Sequence, residues 1–259
     1  MTQKNSLQIG FPADMTPAQQ ALILGCQKMR SFLDRASEGF DFRGGTVHSV
    51  VWFGRQHDKP GMILFESDAL TRDGETFPGT FTLIRGDAAA VLPVLRTPDG
   101  AEWTILVRQP RIAAGQDSYE ELPAGMVDEG VFLSTAIREL EEEVGADLSF
   151  EEADLHLLRS FHPSVGGSDE VVRVYYAERD VSFDLVNALQ GRQAGAAAEG
   201  EKIQVEVIPL ADLAHRAAMD SKAIIAYYNY MAVQGLVAQP GMEFQIREQG
   251  DISTPPAPR

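Results

Sequence analysis

Residues Glu120 to Ala146 read E-E-L-P-A-G-M-V-D-E-G-V-F-L-S-T-A-I-R-E-L-E-E-E-V-G-A. The first half is polar and carries Pro123, Gly125 and Gly130, the composition of a loop. The second half has a helical period. Leu133, Ile137, Leu140 and Val144 fall at i, i+4, i+7 and i+11 and make one narrow apolar stripe. Glu139, Glu142 and Glu143 fall at i, i+3 and i+4 and make a second stripe on another face. Gly145 suits the stop. The reading is a loop that feeds a helix, with one helix face for a core and another carrying acid.

Three carboxylates so spaced repel one another, by roughly 0.2–0.5 kcal/mol per like pair on an exposed helix. A hard divalent cation would turn that cost into a binding site, because Mg2+ takes oxygen ligands and is commonly held through carboxylates. The competing reading is a solvated acidic face.

Composition narrows the field. The 259 residues suit more than one compact domain but not three, and 44% hydrophobic content suffices for a buried core. A net charge of −16 argues against a nucleic-acid footprint, which is normally basic. An anionic substrate would meet a repelling global field, so phosphate binding would need bound metal and a few local arginines. Cys26 stands alone, which excludes an intramolecular disulfide and fits a reducing compartment; a small buried hydrophobe is its expected role. No run of 18 apolar residues and no signal-like N-terminus is present, so no membrane association is expected and the expected location is cytoplasmic.

Outward from the central stretch, Met1 to Met15 reads as loose, and 17–36 as one helix opened by Thr16 and Pro17. Thr46–Phe53, Gly61–Phe65 and Thr80–Ile84 read as two or three short antiparallel strands, too few to stand alone in water. Asp87–Leu95 and Trp103–Arg108 read as buried strands joined at the T-P-D-G turn, Thr97–Gly100. Further strands are expected at Asp154–Phe161, Glu170–Ala177 and Lys202–Ile208, the last closing the sheet. Val186–Glu201 reads as a mobile loop, Pro209–Arg216 and Ser221–Gln234 as helices, and Glu248–Arg259 as a frayed tail. The expected organisation is an N-terminal extension, 1–85, a mixed α/β domain, 86–238, and a tail, 239–259.

The central stretch resembles the Nudix box, G-x5-E-x7-R-E-U-x-E-E-x-G-U with U a bulky aliphatic. Gly125, Arg138, Glu139, Leu140, Glu142, Glu143 and Gly145 match in order. Val131 replaces the first Glu, one residue is missing before Arg138, and Ala146 stands where a larger aliphatic is usual. V-R-Q-P-R at Val107–Arg111, E-L-P-A-G at Glu121–Gly125, P-S-V-G-G-S-D-E at Pro163–Glu170 and E-G-E-K-I-Q-V at Glu199–Val205 follow in the order seen in ADP-ribose and ADP-sugar pyrophosphatases. The likeness is strongest to plant-type ADP-sugar diphosphatases and covers roughly 11–238.

The resemblance implies an α/β/α Nudix sandwich with a mixed sheet, preceded by a helix and a small antiparallel β unit that pairs across a homodimer. It implies Mg2+, with Mn2+ as an alternative, on Glu139 and Glu143, with Glu142 and the Ala124 carbonyl completing the set. Gly125, Arg138 and Gly145 would keep the box in shape. The implied activity is hydrolysis of an ADP-sugar, ADP-ribose or ADP-glucose, to AMP and a sugar phosphate. A different nucleoside diphosphate derivative, such as UDP-glucose or a dinucleotide cofactor, and a binding module that does not cut, are the alternatives.

Other residues have both a chemical and a plain reading. Glu201, then Glu199, are candidates for the general base on a closing loop, or are solvated. Arg108 and Arg111 would clamp phosphates, or form surface ion pairs or a dimer contact. Glu121 would orient an arginine or the sugar, and Glu170 would ligate metal or touch the ribose. Asp169 reads as a turn residue, His162 as a structural hydrogen-bonder, and Trp52, Phe53 and Phe81 as core more than as base-stacking groups.

Overall fold

The computed structural model describes residues 7–54, 58–77, 79–127, 132–145, 148, 150–195 and 203–236. The chain opens with β1 (Gln8–Gly10), α1 (Pro17–Gly25), α2 (Gln27–Gly39), β2 (Asp41–Phe53), β3 (Lys59–Leu70) and β4 (Phe81–Ile84). The four strands form one sheet in the order β1-β2-β3-β4. Thus 8–10, expected to be loose, pairs in parallel with 44–46. The long helix expected over 17–36 is two helices. Thr16 caps α1 with a full capping box, but Cys26 is extended and breaks the run. Leu22 and Leu24 are exposed, while Ile23, Met29 and Phe32 are buried against Val47, Ile63, Phe65 and Ile84. Phe53 and Phe81 also depart from expectation: they lie on the outside, about half exposed. Trp52 packs against the core.

The rest is a three-layer α/β/α sandwich. In chain order it comprises β5 (Ala88–Arg96), β6 (Glu102–Arg111), β7 (Gln116–Glu121), β8 (Ala124–Met126), α3 (Phe132–Val144), β9 (His156–Phe161), β10 (Val172–Asp180), α4 (Phe183–Leu189), β11 (Gln193–Ala194), β12 (Ile203–Pro209), α5 (Leu213–Arg216) and α6 (Ser221–Val233). The mixed sheet runs β11-β12-β6-β5-β10-β9, with β7 on β6 and β8 on β5. Its centre, β5, is A-A-A-V-L-P-V-L-R, buried along nearly its whole length. Period-2 alternation sends Ala88, Ala90, Leu92 and Val94 to the α6 side and Ala89, Val91 and Leu95 to the α3 side. Pro93, which has no N–H, falls between the stretch paired to β8 (88–90) and the stretch paired to β6 (94–96), where the ladder has a gap.

Three further expectations need correction. The run 186–201 is not simply a loop: Ser182 caps α4 by accepting from Leu185 N, and Val186 and Leu189 bury their side chains. β11 follows and pairs with β12, so β12 is not the edge of the sheet. The E-E-L-P-A-G lead-in is not a free loop either. It is the end of β7 on β6, a switch at Pro123, and β8 on β5. The expected tail, 239–259, lies outside the described residues.

Candidate active site

The switch at Pro123 positions the site. Val91 N donates to the Pro123 carbonyl, and Gly125 is the partner of Ala89, so these residues turn toward β5. Backbone groups alternate between the two edges of a strand. Ala124 therefore turns its N–H and its carbonyl to the opposite edge. There its N–H donates to Glu143 Oε2 at 3.1 Å. Glu143 is buried, 5% exposed, on the face of α3 that turns back toward the strand. Glu142, at 44% side-chain exposure, accepts from Arg138 at 2.9 Å, an i,i+4 pair. Glu141 is exposed. Glu139 lies on α3, but its side chain is outside the described part, as are Gly130, Val131, Glu199 and Glu201.

α3 ends at Gly145, whose φ of +113° favours glycine. Arg192 Nη1 donates to the Val144 carbonyl and covers one of the carbonyls left open at the helix end. Gly195 N bonds the Glu142 carbonyl at 3.3 Å, so the segment after α4 fastens the acidic end of α3.

Two ion-pair networks flank the lead-in. Glu120 accepts from Arg108 at 2.7 Å and from both Arg216 Nε and Nη2, at 3.0 and 2.7 Å. Arg216, then Arg108, hold the Glu120 carboxyl below the usual carboxylate range. Arg108 also meets Glu206 at 3.2 Å. Arg111 Nε donates to Glu121 at 2.6 Å, and Lys222 Nζ bonds both Glu121, at 3.1 Å, and Asp220, at 2.8 Å. Burial works against the Lys222 ammonium, yet Asp220 and Glu121 together keep its pKa above the ordinary lysine value. Asp220 Oδ2 also accepts from Leu122 N at 3.0 Å, so the N-cap of α6 holds the lead-in. Arg108 and Arg111 are thus both ion-paired, and Glu121 pairs with Arg111 and Lys222.

Residues 85–228 match the profile of the NUDIX domain family. The chain belongs to the NUDIX family. It is 34% identical over 206 residues to an Arabidopsis thaliana protein named "Nudix hydrolase 14, chloroplastic", an alignment covering 74% of this chain and 64% of that relative's length.

In this NUDIX chain the segment before β10 carries a second charged group. Glu170 is buried and pairs with Arg85 at 3.1 Å; burial pushes its carboxyl up, against the pull of Arg85. His162 Nδ1 lies 3.1 Å from the Glu170 carbonyl oxygen, which can only accept, so Nδ1 carries the proton. Asp169 is more than a turn residue. Its buried carboxylate accepts from Arg85 N at 2.7 Å and Gly86 N at 3.2 Å and pairs with Arg35 of α2 at 3.2 Å. Arg35, Arg85, Lys222 and Asp220 were not anticipated from sequence. Only Asp220 had a local signal: an Asp directly before a helix. No helix among the described residues is long and apolar enough to cross a membrane.

Proposed function

We propose that this chain hydrolyses the diphosphate bond of an ADP-sugar, ADP-ribose or ADP-glucose, giving AMP and a sugar phosphate with the help of Mg2+ or Mn2+. The observation that carries the reading is the seating of Glu143 on Ala124: it brings a buried carboxylate to the strand edge from which the Ala124 carbonyl projects. These are hard oxygen donors, the kind Mg2+ and Mn2+ accept, so the residues fit the metal. Glu139 and Glu142 complete the set. A bound divalent ion supplies Lewis-acid neutralisation of the phosphate oxygens and an activated water.

The protein's own residues bind and orient. Arg108 and Arg111 stand beside the lead-in with their carboxylate partners and present guanidinium groups to phosphate. Glu121 and Glu170 contact the sugar end. Glu201, or Glu199, takes the proton from the attacking water. The order of the flanking motifs supports this class of substrate, and a relative that is itself named a Nudix hydrolase supports hydrolysis.

Residues 1–85 form an extension that dimerises. Its sheet turns Val51, Leu64, Phe81 and Leu83 outward at 36–53% exposure, an apolar face suited to a second copy.

The decisive test is release of AMP from ADP-ribose and ADP-glucose, and of UMP from UDP-glucose, with Mg2+ or Mn2+, wild type beside Glu143→Gln. The ADP-sugars should be cleaved fastest, and the variant should lose turnover. Cleavage of none of them overturns the reading.

A further inference from the structure

The groups that surround Glu170 come from distant parts of the chain. Arg35 lies on α2 at i+3 from the buried Phe32, at the margin of the face that helix buries. Arg85 directly follows β4. Both precede the sandwich, whereas Glu170 lies just before β10, inside it.

The N-terminal sheet holds the Glu170 segment by its backbone. Leu83 N donates to the Gly167 carbonyl at 2.8 Å, Asp169 N donates to the Leu83 carbonyl at 3.4 Å, and Leu83 and Ser168 form a parallel bridge. Asp169 closes the junction. Its Oδ1 accepts from the successive N–H groups of Arg85 and Gly86, at 2.7 and 3.2 Å, a backbone site for one carboxylate oxygen. Arg35 Nη2 donates both to Asp169 Oδ2, at 3.2 Å, and to the Asp169 carbonyl, at 3.1 Å. One guanidinium therefore grips the side chain and the main chain of the residue next to Glu170.

Glu170 is fixed on several sides. Its N–H donates to Ser168 Oγ at 3.2 Å, its carbonyl accepts from His162 Nδ1 at 3.1 Å, and its Oε2 accepts from Arg85 Nη1 at 3.1 Å. Among the described residues the other oxygen, Oε1, accepts no hydrogen bond. A carboxylate repels phosphate and accepts from hydroxyl groups, so an oriented, open Oε1 suits a sugar.

We propose that Arg35 and Asp169 are positioning residues. Arg35, reaching in from the N-terminal extension, fixes Asp169 and so aims Glu170 Oε1 at a sugar hydroxyl of the substrate. This rests on the reading that Glu170 contacts the sugar end. The extension then builds part of the substrate site, a role separate from pairing with a second copy.

The test is calorimetric titration of the full chain with ADP-ribose and with ADP, which has the same diphosphate and no sugar beyond it. Mg2+-free buffer with EDTA removes any need for turnover. Wild type should bind ADP-ribose saturably. Arg35→Gln should weaken ADP-ribose about tenfold and leave ADP unchanged, and Arg35→Lys, which keeps the charge without the fork, should recover part of the loss. Asp169 keeps its two backbone donors in Arg35→Gln, and a thermal melt checks that the variant is folded; if it is not, Arg35→Lys carries the comparison. A Glu170→Ala background shows whether Arg35 acts through Glu170: there Arg35→Gln should weaken ADP-ribose no further. No saturable binding by wild type, ADP-ribose affinity unchanged in Arg35→Gln, equal losses for ADP-ribose and ADP, or losses that add to that of Glu170→Ala would each overturn the proposal. If the binding pattern holds but wild type releases no AMP with Mg2+, the hydrolase reading fails and the positioning role stands.

Discussion

The Glu143 carboxylate and the Ala124 backbone N–H are hydrogen-bonded at 3.1 Å, which ties the acidic helix to the strand that precedes it. This bond makes separable predictions for two substitutions. Glu143→Gln keeps an acceptor for Ala124 N–H but removes the charge. Turnover should fall by at least the ~10–100-fold that loss of a supporting metal-site group costs, with little change in Tm. Glu143→Ala also leaves the N–H without its acceptor, at a cost of about 1–3 kcal/mol. It should lower Tm by several degrees as well as losing activity. Thermal melts alongside AMP release check both, and equal melts would show that the bond carries no stability.

The Lys222 ammonium lies between two buried carboxylates, Glu121 and Asp220. Lys222→Met removes their shared cation and leaves like charges facing each other out of water. Such a break typically costs about 3–5 kcal/mol. The urea midpoint should drop accordingly, and adding Glu121→Gln should recover part of the loss. If the single variant unfolds at the wild-type midpoint, the network does not hold the lead-in.

Legibility from sequence followed the range of the forces involved. Local period and capping gave α3, its stop at Gly145 and the last helix, because neighbouring residues decide those features. The alternating run at 203–209 was equally plain. Segments whose form depends on distant partners were harder. β8 is three residues whose strand character exists only through β5, and β1 is three residues that exist as a strand only beside β2. α4 was hidden by the glycine- and alanine-rich composition downstream, though Ser182 and Asp184 mark its start. The ion-pair partners Lys222 and Asp220 are about a hundred residues from Glu121 and Leu122 along the chain, beyond any local pattern.

Glu120 should impose a pH dependence on stability. Arg216 and Arg108 hold its folded pKa below the unfolded value of about 4.3. The sign follows from linkage: its stabilising contribution is complete above the unfolded value and is lost as pH falls through the lower folded value. Urea midpoints measured from pH 7 down to pH 3 should decline less steeply for Glu120→Gln than for wild type in that acid window. The variant should also start from a lower midpoint at pH 7. Parallel curves would remove Glu120 from the acid response.

The outward face of the N-terminal sheet makes a prediction about assembly. Leu64 and Leu83 are cross-strand partners there, and Phe81 packs on His48 at 5.2 Å. Leu64→Glu/Leu83→Glu puts two charges on that face without touching Ile63, Phe65 or Ile84 on the inner one. Light scattering should give a dimer of the 28.3 kDa chain for wild type and a monomer for the variant. A monomeric wild type would end the dimer reading.

Gly145 tests how the end of the acidic helix is held. A Cβ at this position would stand 2.3 Å from Arg192 Nη1, and the backbone sits at φ +113°. Gly145→Ala therefore meets two penalties: a conformation costing an L-residue roughly 1–2 kcal/mol, and displacement of the guanidinium from the Val144 carbonyl. Arg192→Ala loses the hydrogen bond to the Val144 carbonyl, which is worth about 1 kcal/mol net. If the clash is real, the double variant should be less destabilised than the sum of the two singles, because removing Arg192 gives the new methyl room. The backbone penalty would remain, so the double variant should still fall below Arg192→Ala. A double-mutant cycle by urea unfolding reads this coupling directly. Strict additivity would mean that the two residues do not press on each other, and that backbone conformation alone makes glycine the residue that ends α3.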